Sequence, residues 1–268
     1  MTEQDEQARH DSWISIGIRT DIPHPARVYN YLLGGKDHFS ADREAAEMSL
    51  AVMPEVRDSA QGNRLFLARA VAFLRDVGIR QFLDIGTGLP VSPNTHEIAG
   101  DDTRVVYVDN DPVVFTRASA LMADNKSVVS VPADMRDVDE VLAAAGKMLD
   151  FTQPVALLFV ASLHNIPDAD DPAGLVRKYL AALAPGSYLV ISHVTGDFAP
   201  EQMAQVTASY ADRGAVFIGR TRAEISAMFN GRDLVYPGVV QISHWRPDDG
   251  TLPQNAARVW GYAGVARV

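Results

Sequence analysis

Two spacings of apolar residues divide the chain. From Pro25 to Val77 they return every three or four positions, the period of helices with one buried face; beyond Val77 they gather into short runs separated by polar and glycine-rich turns. Pro25 opens the first helical stretch, where Val28, Tyr31 and Leu32 share a face, and Gly34–Gly35 closes it. A second stretch runs from the cap residue Ser40 through Val52 and breaks at Pro54. A third, from Asn63 to Val77, carries Phe66, Ala70, Phe73 and Leu74 in one stripe before Gly78. Strands are expected over 80–85, 104–108, 127–131, 154–160, 188–192, 238–244 and 259–266. Between them, helices are expected from the Asn94/Glu97 capping box, over 113–122 behind an Asp111 cap, and over 138–149, 172–183, 202–211 and 221–229.

The alternation of strand and helix points to an α/β fold with a doubly wound, mostly parallel, seven-stranded sheet. PVALLFV from Pro154 to Val160 is apolar throughout, as a central strand buried on both faces must be. The last two strands, joined by RPDDGTLPQN, are expected to form an antiparallel hairpin at the sheet edge. Residues 1–20 follow neither period and read as a tail or strap. The expected organisation is a tail and helical cap over 1–60 and a core over 61–268.

The chemistry concentrates where strands end. In QFLDIGTGLP an acid, Asp84, sits inside the first strand, and Gly86 and Gly88 follow where the chain must turn. Glycine there lets a ligand approach the backbone, although an ordinary glycine-rich turn has the same sequence. The next strand ends in Asp109, Asn110 and Asp111, and Asp109 stands about 20 residues past the first glycine, the spacing of an acid that grips ribose hydroxyls. Asp134 follows the third strand and Ser162, His164 and Asn165 follow the fourth, all at carboxyl ends where ligands sit in open α/β sheets. GGKDHF, between the first two helices, is either a solvated turn or a functional loop.

Composition narrows the classes. With no cysteine, disulfides, thiolate nucleophiles and Cys-ligated metals are excluded. A formal net charge of −10 disfavours non-specific nucleic-acid binding and favours a small-molecule substrate. No run approaches the ~18 apolar residues of a membrane helix, and the polar start carries no secretory signal, so the cytoplasm is the expected compartment.

LDIGTG at 83–88, VDND at 108–111, ADM at 133–135, LFVASLHNI at 158–166 and LAPGSYLVIS at 183–192 resemble the ordered motifs of class I S-adenosylmethionine-dependent methyltransferases. RVYNYLLGGKDHFSADREAA, FLDIGTGLPVSPNTHE, RVVYVDNDPVV and PGVVQISHWRPD together resemble an actinobacterial S-adenosyl methyltransferase family long catalogued as a domain of unknown function; this likeness runs from about Arg27 to the end. The resemblance implies S-adenosylmethionine as cofactor and a small-molecule methyl acceptor, with no metal, nucleic-acid or membrane partner and with a homodimer as one assembly open to it. It implies cofactor contacts from Asp84, Gly86, Thr87, Gly88, Asp109, Asn110, Asp134, Met135 and Ser162. From the cap it implies Tyr31, Gly34, Lys36 and Asp37, and it makes His164 or His38 the candidate base. The chain departs from the motif at Pro90, where a third glycine is usual, and has Val91 where dinucleotide enzymes want glycine. Two other classes stay open from the residues: a nicotinamide-dependent oxidoreductase, and a protein that binds an S-adenosyl ligand without turnover.

Overall fold

The computed structural model describes residues 17–123 and 125–268; most of the expected tail lies outside them. Helices α1 (Pro25–Leu32), α2 (Ser40–Val52) and α3 (Glu55–Asp76) precede β1 (Gln81–Ile85), α4 (Thr95–Ala99), β2 (Arg104–Asp109), α5 (Pro112–Leu121) and β3 (Val128–Pro132). Then come α6 (Val138–Ala145), β4 (Ala156–Val160), α7 (Pro172–Leu180), β5 (Tyr188–Val194), α8 (Pro200–Ala211) and α9 (Arg222–Ala227). Strands β6 (Asp233–Leu234), β7 (Val240–Gln241) and β8 (Gly261–Arg267) close the chain.

The strand order is β3-β2-β1-β4-β5-β8-β6, with β7 also pairing β8. Strands β1 to β5 run parallel and β8 is antiparallel to β5, so the sheet is mostly parallel and doubly wound, with eight strands rather than seven. The order reverses between β1 and β4, which opens a crevice at their carboxyl ends. The two-residue period sorts the core. Leu83, Ile85, Val106, Val108, Leu157 and Phe159 pack with α6 and α7 on one face, while Phe82, Val105, Tyr107, Ala156 and Leu158 pack with α3 on the other. Asp84 shares the parity of Phe82 and so reaches the side of α4.

Some boundaries differ from expectation. Helix α3 starts at Glu55 instead of Asn63 because Val56, Ala60 and Gly62 are buried by tertiary contact; a Cβ on Gly62 would lie 2.8 Å from Val259. The expected boundary at residue 60 falls inside this helix. Ser40 is the first residue of α2 and not its cap: Asp42 accepts the N–H groups of Phe39 and His24 instead. The strand expected over 238–244 shrinks to β7, since Ile242–His244 turns as a 3-10 helix, and the unforeseen β6 places β8 one strand in from the edge. Helices α6, α7 and α9 end sooner than expected, at Ala145, Leu180 and Ala227.

Helices α1 and α2 form a cap. Val28, Leu32, Ala45, Ala46 and Met53 bury one face against Val56 and Ala60 of α3 and Val206 and Tyr210 of α8. Arg27, buried at the centre, lies 3.0 Å from Asp111 and 3.5 Å from Asp42, tying α1 to α5 and α2. No helix among the described residues is long and apolar enough to cross a membrane.

Candidate active site

A cavity of about 370 Å³ lies between the cap and the carboxyl ends of β1, β2 and β4. Its floor is the turn after β1. Gly86 and Thr87 both donate their N–H to the Val108 carbonyl, at 2.8 and 3.1 Å, folding the turn over the end of β2. Gly86 has φ +69°, and a Cβ there would lie 2.6 Å from the Ser162 Cβ and 2.9 Å from the Met135 Cε. The glycine therefore keeps the chain close to two neighbouring strand ends as well as allowing its left-handed backbone. Gly86→Ala is expected to cost about 1–3 kcal/mol from that backbone conformation, with the clash added, read as a lower midpoint in chemical unfolding.

Three carboxylates surround the turn in different states. Asp84 is buried, accepts the Thr95 hydroxyl at 2.7 Å, and is pushed up to about 6 by burial, with the Arg64 charge drawing it back. Arg64 is held by the Val91 and Pro93 carbonyls, 2.6 Å each, on the loop after the glycine turn. Asp109 accepts the Gly88 N–H at 2.9 Å and the Asp111 N–H at 3.0 Å, so two of its lone-pair sites brace the turn and the others remain. Burial raises its pKa and the neighbouring His24 opposes the rise. His24 itself bridges Asn110 and Asp111, 3.2 Å from each. Asp134 is gripped by one edge of the Arg136 guanidinium, whose Nε and Nη2 donate to its two oxygens at 3.0 and 2.6 Å, which holds it below the usual carboxylate range. The Met135 carbonyl is taken by the Tyr179 hydroxyl at 2.8 Å.

The loop after β4 makes the side wall. Ala161 adopts a left-handed φ of +55° and turns Ser162 and His164 inward, both buried. Arg220 fastens this loop by donating to the Leu163 and Ile166 carbonyls and to the Asp168 carboxylate. It also donates to Nε2 of His193, whose Nδ1 lies 2.7 Å from the Val194 carbonyl; this pairing makes His193 the neutral Nδ1–H tautomer. Burial drives His193 down to about 3 and His164 well below the ordinary histidine value, so both imidazoles are neutral. The Phe217 ring meets His164 edge-on, centroids 4.9 Å apart.

Asp84, Gly86, Thr87, Gly88, Asp109 and Asn110 line this one cavity, together with Asp134, Met135, Ser162 and His164. Tyr31, Gly34, Lys36, Asp37 and His38 do not. Helix α1 turns Val28, Tyr29 and Leu32 inward; the Tyr31 hydroxyl donates to Glu47, Asp37 pairs with Arg117, and His38 packs edge-on against Tyr31 at 5.0 Å. Chain position alone did not single out His24, Tyr29, Asn63, Arg64, Tyr210 and Phe217, which line the cavity without following a parallel strand. Only the apolar stripe of α1 carried a signal for any of them, because Tyr29 adjoins Val28 there.

A family model described as S-adenosyl methyltransferase matches residues 11–268. The crystal structure of a DUF574-family protein from Streptomyces avermitilis superposes with a TM-score of 0.86 at 42% identity, covering 92% of this chain and 98% of that one. A protein of Thermobifida fusca YX superposes with a TM-score of 0.85 at 40% identity, covering 92% and 95%. A search of curated proteins finds no match.

Proposed function

The chain belongs to the S-adenosyl methyltransferase family, and on that premise we propose that the cavity holds S-adenosylmethionine along the ends of β1, β2 and β3 and a small-molecule methyl acceptor beside the loop after β4. The protein is an S-adenosylmethionine-dependent methyltransferase, which sets the oxidoreductase reading aside. The site residues fit such a cofactor. The observation that carries the assignment is the convergence of the glycine turn, Asp109, Asp134 and the loop after β4 on one cavity, with Gly86 needed to bring the turn close to Ser162 and Met135. Asp109 retains lone pairs for the ribose hydroxyls, Asp134 and the Met135 backbone face the adenine, and Asp84 with Arg64 faces the two charges of the amino-acid end. The bound cofactor supplies an electrophilic methyl on a sulfonium, open to in-line displacement.

What the protein must add is position and dryness. The cap covers the cavity, and the buried loop carrying Ser162, His164 and Asn165 aligns the acceptor. His164 is the proposed partner for the acceptor's proton, entering as a neutral imidazole; His38 stands outside the cavity. Calorimetric titration tests the reading: S-adenosylhomocysteine binds and NADH does not, whereas a chain that bound neither S-adenosyl ligand would sink the assignment.

Proton linkage adds a signature. A carboxylate raised to about 6 must release its proton before it can receive an ammonium, so affinity for S-adenosylhomocysteine is flat above pH 6 and falls about tenfold per pH unit below it. The same charge is a burden to the ligand-free chain: the stability its raised pKa adds at low pH is lost as pH rises through 6. Asp84→Asn is therefore expected to raise the thermal midpoint at pH 8 in calorimetry while weakening and flattening the binding profile.

A further inference from the structure

The cavity has a charged half and a neutral half. His24, Arg64, Asp84, Asp109, Asp134 and Arg136 all stand at the ends of β1, β2 or β3, or are bonded to residues that do. The rest of the wall is uncharged: Tyr29, Ser49, Val56, Asn63, Tyr210 and Phe217. Its polar groups are largely occupied by partners within the protein. The Tyr29 hydroxyl donates to the Ala60 carbonyl and accepts from Asn63, Asn63 accepts from Ser192, and Ser49 donates to the Ala45 carbonyl. Tyr210 and Phe217 stack, centroids 5.1 Å apart and planes 27° from parallel, offering aromatic surface.

Against this neutral wall, three buried side-chain atoms on the loop after β4 have no hydrogen-bond partner among the described residues: Ser162 Oγ, His164 Nδ1 and Asn165 Oδ1. Buried polar atoms are rarely left so, and three on one loop of one cavity mark a place for a ligand's polar group. His164 cannot supply a countercharge, because burial keeps the ring neutral, reinforced by the neighbouring His193 and Arg220. An ionised acceptor would lose its hydration against a wall that offers it no charged side chain, a cost of several kcal/mol.

We infer that the methyl acceptor is a compact, uncharged aromatic compound bearing a hydroxyl or ring N–H, seated against the Tyr210–Phe217 wall with its polar group turned to Ser162, His164 and Asn165. Its size follows from the cavity, which at about 370 Å³ lies at the small end for ligand sites and is shared with the cofactor. This inference rests on the methyltransferase reading, and its test keeps the two apart. The intact chain is saturated with S-adenosylhomocysteine, its affinity is measured by calorimetry, and 4-methylphenol, indole, benzoate and benzylammonium are compared by saturation-transfer NMR. The two neutral rings are expected to bind, with the charged analogues at least tenfold weaker. Ala215→Leu, which fills the cavity from the loop before Phe217, is expected to abolish the neutral signals while the cofactor analogue still binds. Equal binding of the charged analogues, silence from both neutral rings, or neutral signals that survive Ala215→Leu would overturn the acceptor class. Loss of S-adenosylhomocysteine binding by the unmodified chain would instead overturn the reading beneath it.

Discussion

Arg27→Met is expected to destabilise the folded chain by about 3–5 kcal/mol, the cost of leaving buried charge without its partner. Arg27 is 3% exposed and Asp42 and Asp111, the carboxylates it serves, are 0% and 2% exposed. Its Nε stands 3.0 Å from Asp111 Oδ2 and its Nη1 3.5 Å from Asp42 Oδ2, with another N–H donated to the Arg19 carbonyl at 2.9 Å. Burial pushes the Asp42 carboxyl up, and the Arg27 charge is the largest influence opposing it. Without the guanidinium, one carboxyl must protonate or the cap must open to water. Urea unfolding at pH 7 reads the loss, and Arg27→Met combined with Asp42→Asn is expected to recover part of it because one orphaned charge is gone. A loss below about 1 kcal/mol for the single change would mean that the network is solvated and that other contacts hold the cap.

Asp109→Ala is expected to weaken S-adenosylhomocysteine binding by a hundredfold or more. Hydrogen bonds to a charged acceptor are worth about 1.5–3 kcal/mol each, and two ribose hydroxyls lost together exceed the 2.7 kcal/mol of a hundredfold change. The Gly88 N–H loses its acceptor in the same substitution, which loosens the glycine turn. Asp109→Asn keeps one acceptor oxygen and is expected to fall between the two. Calorimetric titration gives the affinities, and the unfolding midpoint of the ligand-free variant separates lost contacts from a lost turn. An affinity within threefold of the unaltered chain would remove Asp109 from the site.

The glycine turn, the acid after β2 and the loop after β4 were legible because each follows a strand, and strands show as short apolar runs. Chain direction then places their ends together. The cap carries no such mark. GGKDHF is dense in chemical groups, yet its neighbours draw it outward: Asp37 goes to Arg117 on α5 and Tyr31 to Glu47 on α2, while Tyr29, two residues before Tyr31, faces the cavity. Arg64 and Asn63 were read as members of a core helix, and nothing local distinguishes an inward polar residue that lines a site from one at a helix start.

The alternation of strand and helix, the mostly parallel sheet and the row of candidate groups at its carboxyl edge are written in the sequence. These follow from local period and connectivity, which folding preserves. Tertiary contact sets the order of the strands and their switch point, how the cap is turned, where β8 inserts, and which polar groups are spent on one another. Those depend on pairings across the chain, such as Arg27 with Asp42 and Asp111 or Asn63 with Tyr29 and Ser192. Burial makes each such partnership strong, and residues far apart in sequence carry no local mark of it.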